Sequence, residues 1–117
     1  METAKAAELL AAERARIEGQ LARLGAEFAP GAADGLANDA GYDDGAFDLH
    51  ERERDSGRIE ELRAELTAVE RAERRLEEGT YGLSVESGEP ISDARLARLP
   101  AAERTAEEQR RFERLGG

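Results

Sequence analysis

The sequence predicts a mainly α-helical protein: an antiparallel two-helix coiled-coil hairpin followed by a small C-terminal lobe. Two stretches, one at the start of the chain and one in its middle, repeat large aliphatic residues every seven positions, which is typical of coiled coils. Glycine and proline residues separate the two stretches and also follow the second one. We therefore assign residues 1–79 to the hairpin and residues 80–117 to the lobe.

The longer predicted helix covers residues 47–78, which contain no proline and one glycine, Gly57. Glu73 occupies the stripe position between Val69 and Leu76, and Gly79 can adopt the left-handed conformation at which many helices end. Because the surface outside the stripe is charged, this helix is expected to be solvated and to pair with one partner helix. The aliphatic stripe consists of Ile59, Leu62, Leu66, Val69 and Leu76.

The partner helix is predicted from residue 3 to about residue 28, with Thr3 as its candidate N-cap residue. Since each helix has only one apolar face to bury, we expect the two helices to pair with each other. A homodimeric coiled coil is the alternative, but the connection between the helices favours pairing within one chain, and we expect a monomer. The stripe of this helix consists of Leu10, Ile17, Leu21, Leu24 and Phe28.

Residues 29–46 form the predicted tip loop of the hairpin. The loop is rich in glycine and is longer than the about two to eight residues that usually connect two helices. Connections of this length are often functional; an acidic loop that only keeps the protein soluble is the alternative reading. Its acidic residues are Asp34, Asp39, Asp43 and Asp44.

The lobe is predicted to begin with a short β-hairpin over residues 80–91, with a turn at Ser87-Gly88. Ser92 can cap a short helix over residues 93–99. Pro100 can end that helix and start the next one, over residues 101–115. The residues available for a core are Tyr81, Leu83, Val85, Ile91, Leu96, Leu99, Phe112 and Leu115.

The composition excludes several classes of function. A formal net charge of −10 argues against direct DNA binding and favours a partner with a basic surface or channel. The chain shows neither an apolar run of membrane-spanning length nor a signal peptide, so we expect a cytoplasmic protein. It has no cysteine and one histidine, His50, and no nucleophile–base pair is recognisable, so we expect no enzyme. The enzymatic alternative is a magnesium site formed by Asp43, Asp44 and Asp48.

The lobe also carries a specific motif. Its residues resemble the zinc-ribbon segment of the DksA/TraR family of RNA-polymerase-binding transcription regulators. The family pattern is Gly-x-Tyr-Gly-x-Cys-x-x-Cys-Gly-Glu-x-Ile, followed by Arg-Leu, Pro and a second Cys-x-x-Cys. The resemblance implies a regulator that enters the secondary channel of bacterial RNA polymerase and modulates initiation through the acidic tip of its hairpin. The matching residues are Tyr81, Gly82, Gly88, Glu89, Ile91, Arg95, Leu96 and Pro100.

The chain departs from the family at the positions of the four zinc ligands. The family's cysteines fall on Ser84, Ser87, Thr105 and Glu108. Hydroxyl groups are poor zinc ligands, and one carboxylate cannot hold a tetrahedral structural site. We therefore expect a zinc-ribbon-like lobe that binds no metal and no other cofactor.

The tip loop matches the family in part. The family's tip motif, Asp-x-x-Asp-x-Ala, falls on Gly41, Asp44 and Ala46 when it is counted back from the Tyr-Gly pair. The resemblance thus implies that Asp43, Asp44 and Ala46 are the polymerase-directed tip residues.

Some family members respond to guanosine tetraphosphate through basic residues. The corresponding positions here are Ala68, Leu99 and Gln109, which carry no charge, so we expect little response. Together with the lost cysteines, this change favours one alternative function: a protein-interaction module derived from the family that no longer acts on RNA polymerase.

Overall fold

The computed structural model describes residues 1–26 and 49–116. Within these ranges the chain forms four helices: α1 (Thr3–Arg23), α2 (Leu49–Glu78), α3 (Asp93–Arg98) and α4 (Ala106–Arg114). β-Pairing in the same ranges is limited to one antiparallel bridge between Leu83 and Pro90. The prediction of a mainly α-helical fold with two long helices is therefore confirmed. None of the four helices combines the length and the apolar composition that a membrane span requires.

The chain divides into two compact units, each of which contains a segment of α1 and a segment of α2. One unit comprises Met1–Arg14 with Ala68–Gly117, and the other comprises Ala15–Thr67. The lobe belongs entirely to the first unit.

In the unit formed by Ala15–Thr67, α1 and α2 run antiparallel, as predicted. Arg16 pairs with Glu65 at 3.1 Å, and Arg58, which precedes Glu65 in α2, donates to Gln20, which follows Arg16 in α1, at 2.9 Å. The stripe residues of this unit that lie fully in the interior are Ile17, Leu21, Leu62 and Leu66.

In the first unit, the buried faces of α1 and α2 combine aliphatic residues with alanines. Ala6 and Leu10 of α1 and Val69 and Ala72 of α2 are buried. Leu76, which the sequence also assigns to the stripe, is only half-buried.

Both long helices end with the same backbone motif, and this motif corrects the predicted length of α1. Gly25 has a φ of 78°, its N–H donates to Ala22, and the N–H of Ala26 donates to Leu21. These bonds form a Schellman motif that satisfies the last carbonyls of α1, so the helix ends at Arg23 and not near residue 28. Gly79, with a φ of 84°, ends α2 in the same way, as predicted.

The start of α1 also differs from the prediction. Thr3 is the first helical residue, and the N–H of Ala6 donates to the carbonyl of Glu2 at 2.9 Å. Glu2 therefore occupies the N-cap position that the sequence assigned to Thr3. Residues 27, 28, 47 and 48, which were predicted to extend the two long helices, lie outside the described residues.

The predicted β-hairpin of the lobe is reduced to a tight reversal of the chain. The N–H of Gly88 donates to Ser84 at 2.9 Å, and that of Ser84 donates to Glu89 at 2.8 Å. The N–H groups of Glu86 and Ser87 donate to the Ser84 hydroxyl (3.0 and 3.2 Å), so they are not available for a longer strand ladder.

The two short helices show one correct and one wrong boundary prediction. Ser92 caps α3 by accepting from Arg95 N–H, as predicted. Helix α4, by contrast, begins at Ala106 and not at residue 101. A capping box between Thr105 and Glu108 starts it, which the sequence Thr-Ala-Glu-Glu could have indicated.

The apolar interior of the lobe is smaller than the sequence suggested. Of the expected core residues, Ile91 and Leu96 are buried, while Tyr81 and Phe112 are half-buried. The remaining four are exposed: Leu83, Val85, Leu99 and Leu115. Hydrophobic stabilisation amounts to about 25 cal/mol for each Å² of apolar surface removed from water, so a small apolar interior contributes little. Polar interactions must therefore provide much of the stability of the lobe.

Candidate functional site

The sequence proposed two candidate sites, and the structure describes one of them. The tip residues Asp43, Asp44 and Ala46 lie outside the described residues, as do Asp34, Asp39 and Gly41. The lobe, with the former zinc-ligand positions and the family motif, is fully described up to residue 116.

The four positions at which the resemblance implies cysteines converge on one carboxylate. The hydroxyl groups of Ser84 and Ser87 donate to the two oxygens of Glu108, each at 2.6 Å. Thr105 and Glu108 bond reciprocally: Thr105 N–H donates to Glu108 Oε1 (3.0 Å), and Glu108 N–H donates to Thr105 Oγ1 (3.1 Å). We call Ser84, Ser87, Thr105 and Glu108 the carboxylate cluster. It joins the reversal at residues 84–89 to the start of α4.

The carboxylate cluster keeps Glu108 ionised although the residue is buried. Glu108 is only 7% exposed. The hydrogen bonds that its carboxylate accepts from Ser84 and Ser87, and then from the backbone of Thr105, lower its pKa from 4.5 to about 2, against the opposing effect of burial. Glu108 also stands in the first turn of α4, where the positive end of the helix dipole favours a negative charge.

The chemistry of the carboxylate cluster does not fit a zinc ion. Both oxygens of Glu108 already accept short hydrogen bonds, and the two serine hydroxyls direct their protons at them. Among the described residues there is no group of three or more His, Cys, Asp or Glu that could hold a metal ion. We therefore derive no metal chemistry from the lobe.

The family-motif residues serve mainly to hold the lobe together. Tyr81 donates its hydroxyl to the carbonyl of Pro100 at 2.8 Å, and burial raises the pKa of that hydroxyl, although the charge of Arg75 opposes the shift. Gly82 has a φ of 88°, and a Cβ placed there would lie 3.6 Å from Leu96 Cδ1. Arg95 Nε donates to the carbonyl of Arg104 at 2.9 Å.

The remaining motif residues lie in or directly after the chain reversal at residues 84–89. The N–H of Ile91 donates to the carbonyl of Gly82 at 2.8 Å. Gly88, with a φ of 77°, allows the reversal, and the N–H of the exposed Glu89 donates to the Ser87 hydroxyl at 3.2 Å.

Sequence reasoning missed one polar group that joins the lobe to α2. The carboxylate of Glu103 accepts from Arg71 Nε (2.7 Å), Arg71 Nη2 (3.3 Å) and Arg75 Nη1 (3.1 Å). We call Glu103, Arg71 and Arg75 the lobe clamp. Glu103 lies 32 residues after Arg71 and 28 residues after Arg75, so no local sequence pattern indicates that they pair.

The pKa values agree with an ionised lobe clamp. Burial would raise the pKa of Glu103, but the hydrogen bonds and charges of Arg71 and Arg75 outweigh burial and leave it below its usual value. The hydrogen bond to Glu103 raises the pKa of Arg71 in turn. Within the lobe, Glu86 plays a comparable part, since it pairs with Arg104 (2.9 Å) and Arg111 (3.6 Å).

Comparisons with known proteins agree on one family. No protein-family model matches the chain. The chain is 39% identical over 71 residues to the RNA polymerase-binding transcription factor DksA of two strains of Caulobacter vibrioides. The match covers 61% of this chain and 45% of each relative, so the chain spans about half the length of these relatives.

A solved structure extends the likeness over nearly the whole chain. The transcription factor DksA2 of Pseudomonas aeruginosa matches with a TM-score of 0.62 and 25% sequence identity. The superposition covers 97% of this chain and 81% of that one. Taken with the sequence match and the lobe motif, this likeness supports membership of the DksA/TraR family.

Proposed function

We propose that the chain is a bacterial transcription regulator that binds RNA polymerase through the secondary channel and modulates initiation through the acidic tip of its hairpin. The observation that carries the proposal is the 39% identity to a relative that is named an RNA polymerase-binding transcription factor. The likeness to DksA2 over 97% of the chain supports it, because a change of target is less expected where the whole architecture is retained.

The physical properties of the chain suit such a target. Two paired helices, each about 10 Å wide, can enter a channel that would exclude a globular domain. The net charge of −10 would favour approach to a basic channel and oppose approach to DNA. In this proposal Asp43, Asp44 and Ala46 act at the active-centre end, and the lobe stays outside at the rim.

The remaining features of the proposal follow from the same reading. The protein would act as a cytoplasmic monomer, without catalysis of its own and without a metal or another cofactor. Its lobe would be held by the carboxylate cluster where cysteine-bearing relatives use zinc. Because that cluster contains no thiolate, the lobe should keep its fold when metals are removed.

A second candidate is an interaction module that derives from the family and no longer acts on RNA polymerase. The observation that favours it is that Ser84, Ser87, Thr105 and Glu108 stand where the resemblance implies four zinc-binding cysteines. The uncharged Leu99 and Gln109, at positions where some members carry basic residues, point the same way.

A pull-down with purified bacterial RNA polymerase core separates the two candidates. We expect retention of the chain under conditions that retain a cysteine-bearing relative, and competition with any ligand that occupies the secondary channel. No retention under these conditions would favour the second candidate. The tip is tested with Asp44→Asn, which should abolish the effect on transcription while binding stays nearly intact; equal loss of both would make the tip an anchor.

A further inference from the structure

The lobe contains two glutamates that each bind two arginines, and they differ in what they connect. Glu86 pairs with Arg104 and Arg111, and both of these arginines lie inside the lobe. Glu103 pairs with Arg71 and Arg75, which belong to α2. The two groups are otherwise similar, which makes one a natural control for the other.

Two members of the lobe clamp, Arg75 and Glu103, are shielded from water, whereas the Arg71 side chain is 45% exposed. The side chain of Arg75 is 13% exposed and that of Glu103 is 20% exposed. The Nε and Nη2 atoms of Arg75 are buried without a hydrogen-bond partner among the described residues, so Glu103 is the acceptor on which this guanidinium depends. Pairs that are shielded in this way are screened less by salt and solvent than surface pairs.

The other polar contacts described for the lobe lie within it or at its exposed surface. The carboxylate cluster joins only lobe residues to one another, and so would a zinc ion at the same four positions. The apolar residues Leu83, Val85 and Leu99 are exposed and therefore contribute little burial to the lobe. The α-amino group of Met1 also reaches the lobe, at 3.2 Å from Asp93, but that carboxylate is 71% exposed.

We propose that Glu103 is a positioning residue whose carboxylate holds the lobe in one orientation on the C-terminal part of α2. Its backbone supports this role, because the carbonyl of Glu103 accepts the N–H of Val85 at 2.9 Å and so ties the clamp to the reversal of the lobe. In this proposal the carboxylate cluster keeps the lobe folded, and the lobe clamp sets the orientation of the lobe on α2. If the proposed function holds, this orientation sets how the lobe meets the polymerase surface.

The absence of cysteine from the chain allows a direct test of the orientation. Spin labels are attached at Glu77→Cys on α2 and Arg110→Cys on α4, both exposed positions, and the distance between the labels is measured by electron paramagnetic resonance. The labelled protein should give one narrow distance. We expect Glu103→Ala to lose this single distance in favour of a broad distribution, while Glu86→Ala keeps it.

Helix content by circular dichroism distinguishes orientation from unfolding. The proposal requires that Glu103→Ala keeps its helix content while the narrow distance is lost. If that variant unfolds, Glu103→Gln, which retains an acceptor oxygen without the charge, takes its place and should broaden the distance with the helices intact. A narrow distance in the Glu103 variants would overturn the proposal, and so would unfolding of both or equal broadening by Glu86→Ala. The measurement is made on the free protein, so it stands apart from whether RNA polymerase binds.

Discussion

Arg14 and Glu73 face each other from the one charged position in each aliphatic stripe. Arg14 lies between Leu10 and Ile17 in α1, and its guanidinium donates to the two carboxylate oxygens of Glu73 at 2.7 and 3.1 Å. The two side chains are 32% and 36% exposed, so the pair is partly shielded from water. A lone charge in each stripe that finds its opposite in the partner helix supports pairing of α1 with α2 over pairing of either helix with its own copy.

This pair allows a prediction of stability. Glu73→Ala should lower the free energy of unfolding by about 1–2 kcal/mol, because Arg14 loses the carboxylate that accepts its two short hydrogen bonds, whereas its contact with Glu70 is longer, at 3.7 Å. The double variant Arg14→Leu/Glu73→Leu completes both stripes and should be at least as stable as the parent protein. Urea unfolding measures both. Glu65→Ala is the control: its partners Arg16 and Arg58 are 42% and 43% exposed, so the change should stay within about 0.5 kcal/mol.

A second prediction concerns the carboxylate cluster. Glu108→Gln replaces one of the two acceptor oxygens by an NH2 group, so either Ser84 or Ser87 loses its acceptor, and it removes the negative charge from the first turn of α4. We expect a lower melting temperature of the lobe. The matched control is Glu107→Gln at the adjacent, exposed position. Equal melting temperatures for the two variants would contradict the role assigned to the cluster.

The same carboxylate predicts how stability depends on pH. The folded protein holds the pKa of Glu108 at about 2, below the ordinary value of 4.5, so the unfolded chain takes up a proton more readily. The stabilisation is therefore complete above about pH 4.5 and is lost as the pH falls toward 2. Urea midpoints across this range should fall with pH, and less steeply for Glu108→Gln. Glu103, whose pKa is also lowered, contributes in the same direction, so some slope should remain.

Replacing glycine by alanine should have opposite effects on stability at Gly82 and at Gly57. Gly82→Ala places a Cβ on a residue with a φ of 88° and should cost roughly 1–2 kcal/mol of stability. Gly57→Ala lies inside α2, where a Cβ meets no atom within 4 Å, and should gain about 0.5–1 kcal/mol from helix propensity. A gain at Gly82 would show that the left-handed conformation of this residue is not required.

The sequence was informative where the structure depends on periodicity. The seven-residue stripes predicted both long helices and their antiparallel pairing, because one-sided burial leaves few other arrangements. The end of α1 was placed too late because the stripe continues past Gly25, and a backbone cap decides the boundary. The start of α4 was placed too early because Pro100 was preferred over the capping box at Thr105.

The candidate site was predictable only in part. The resemblance picked out Ser84, Ser87, Thr105 and Glu108, but it treated them as lost ligands and not as hydrogen-bonding partners of one another. Glu108 was assigned no role because a surface carboxylate and a buried, bonded one look alike in sequence. The lobe clamp was invisible for a different reason: it depends on how the folded lobe meets α2.

The proposed function requires that this chain binds RNA polymerase with a lobe that holds no metal. Equilibrium binding to purified bacterial RNA polymerase core, measured with and without a strong chelator, tests it most directly. We predict binding of equal affinity in both conditions, while a cysteine-bearing relative loses affinity in chelator. If this chain does not bind with or without chelator, or binds only when zinc is supplied, the proposed function is wrong.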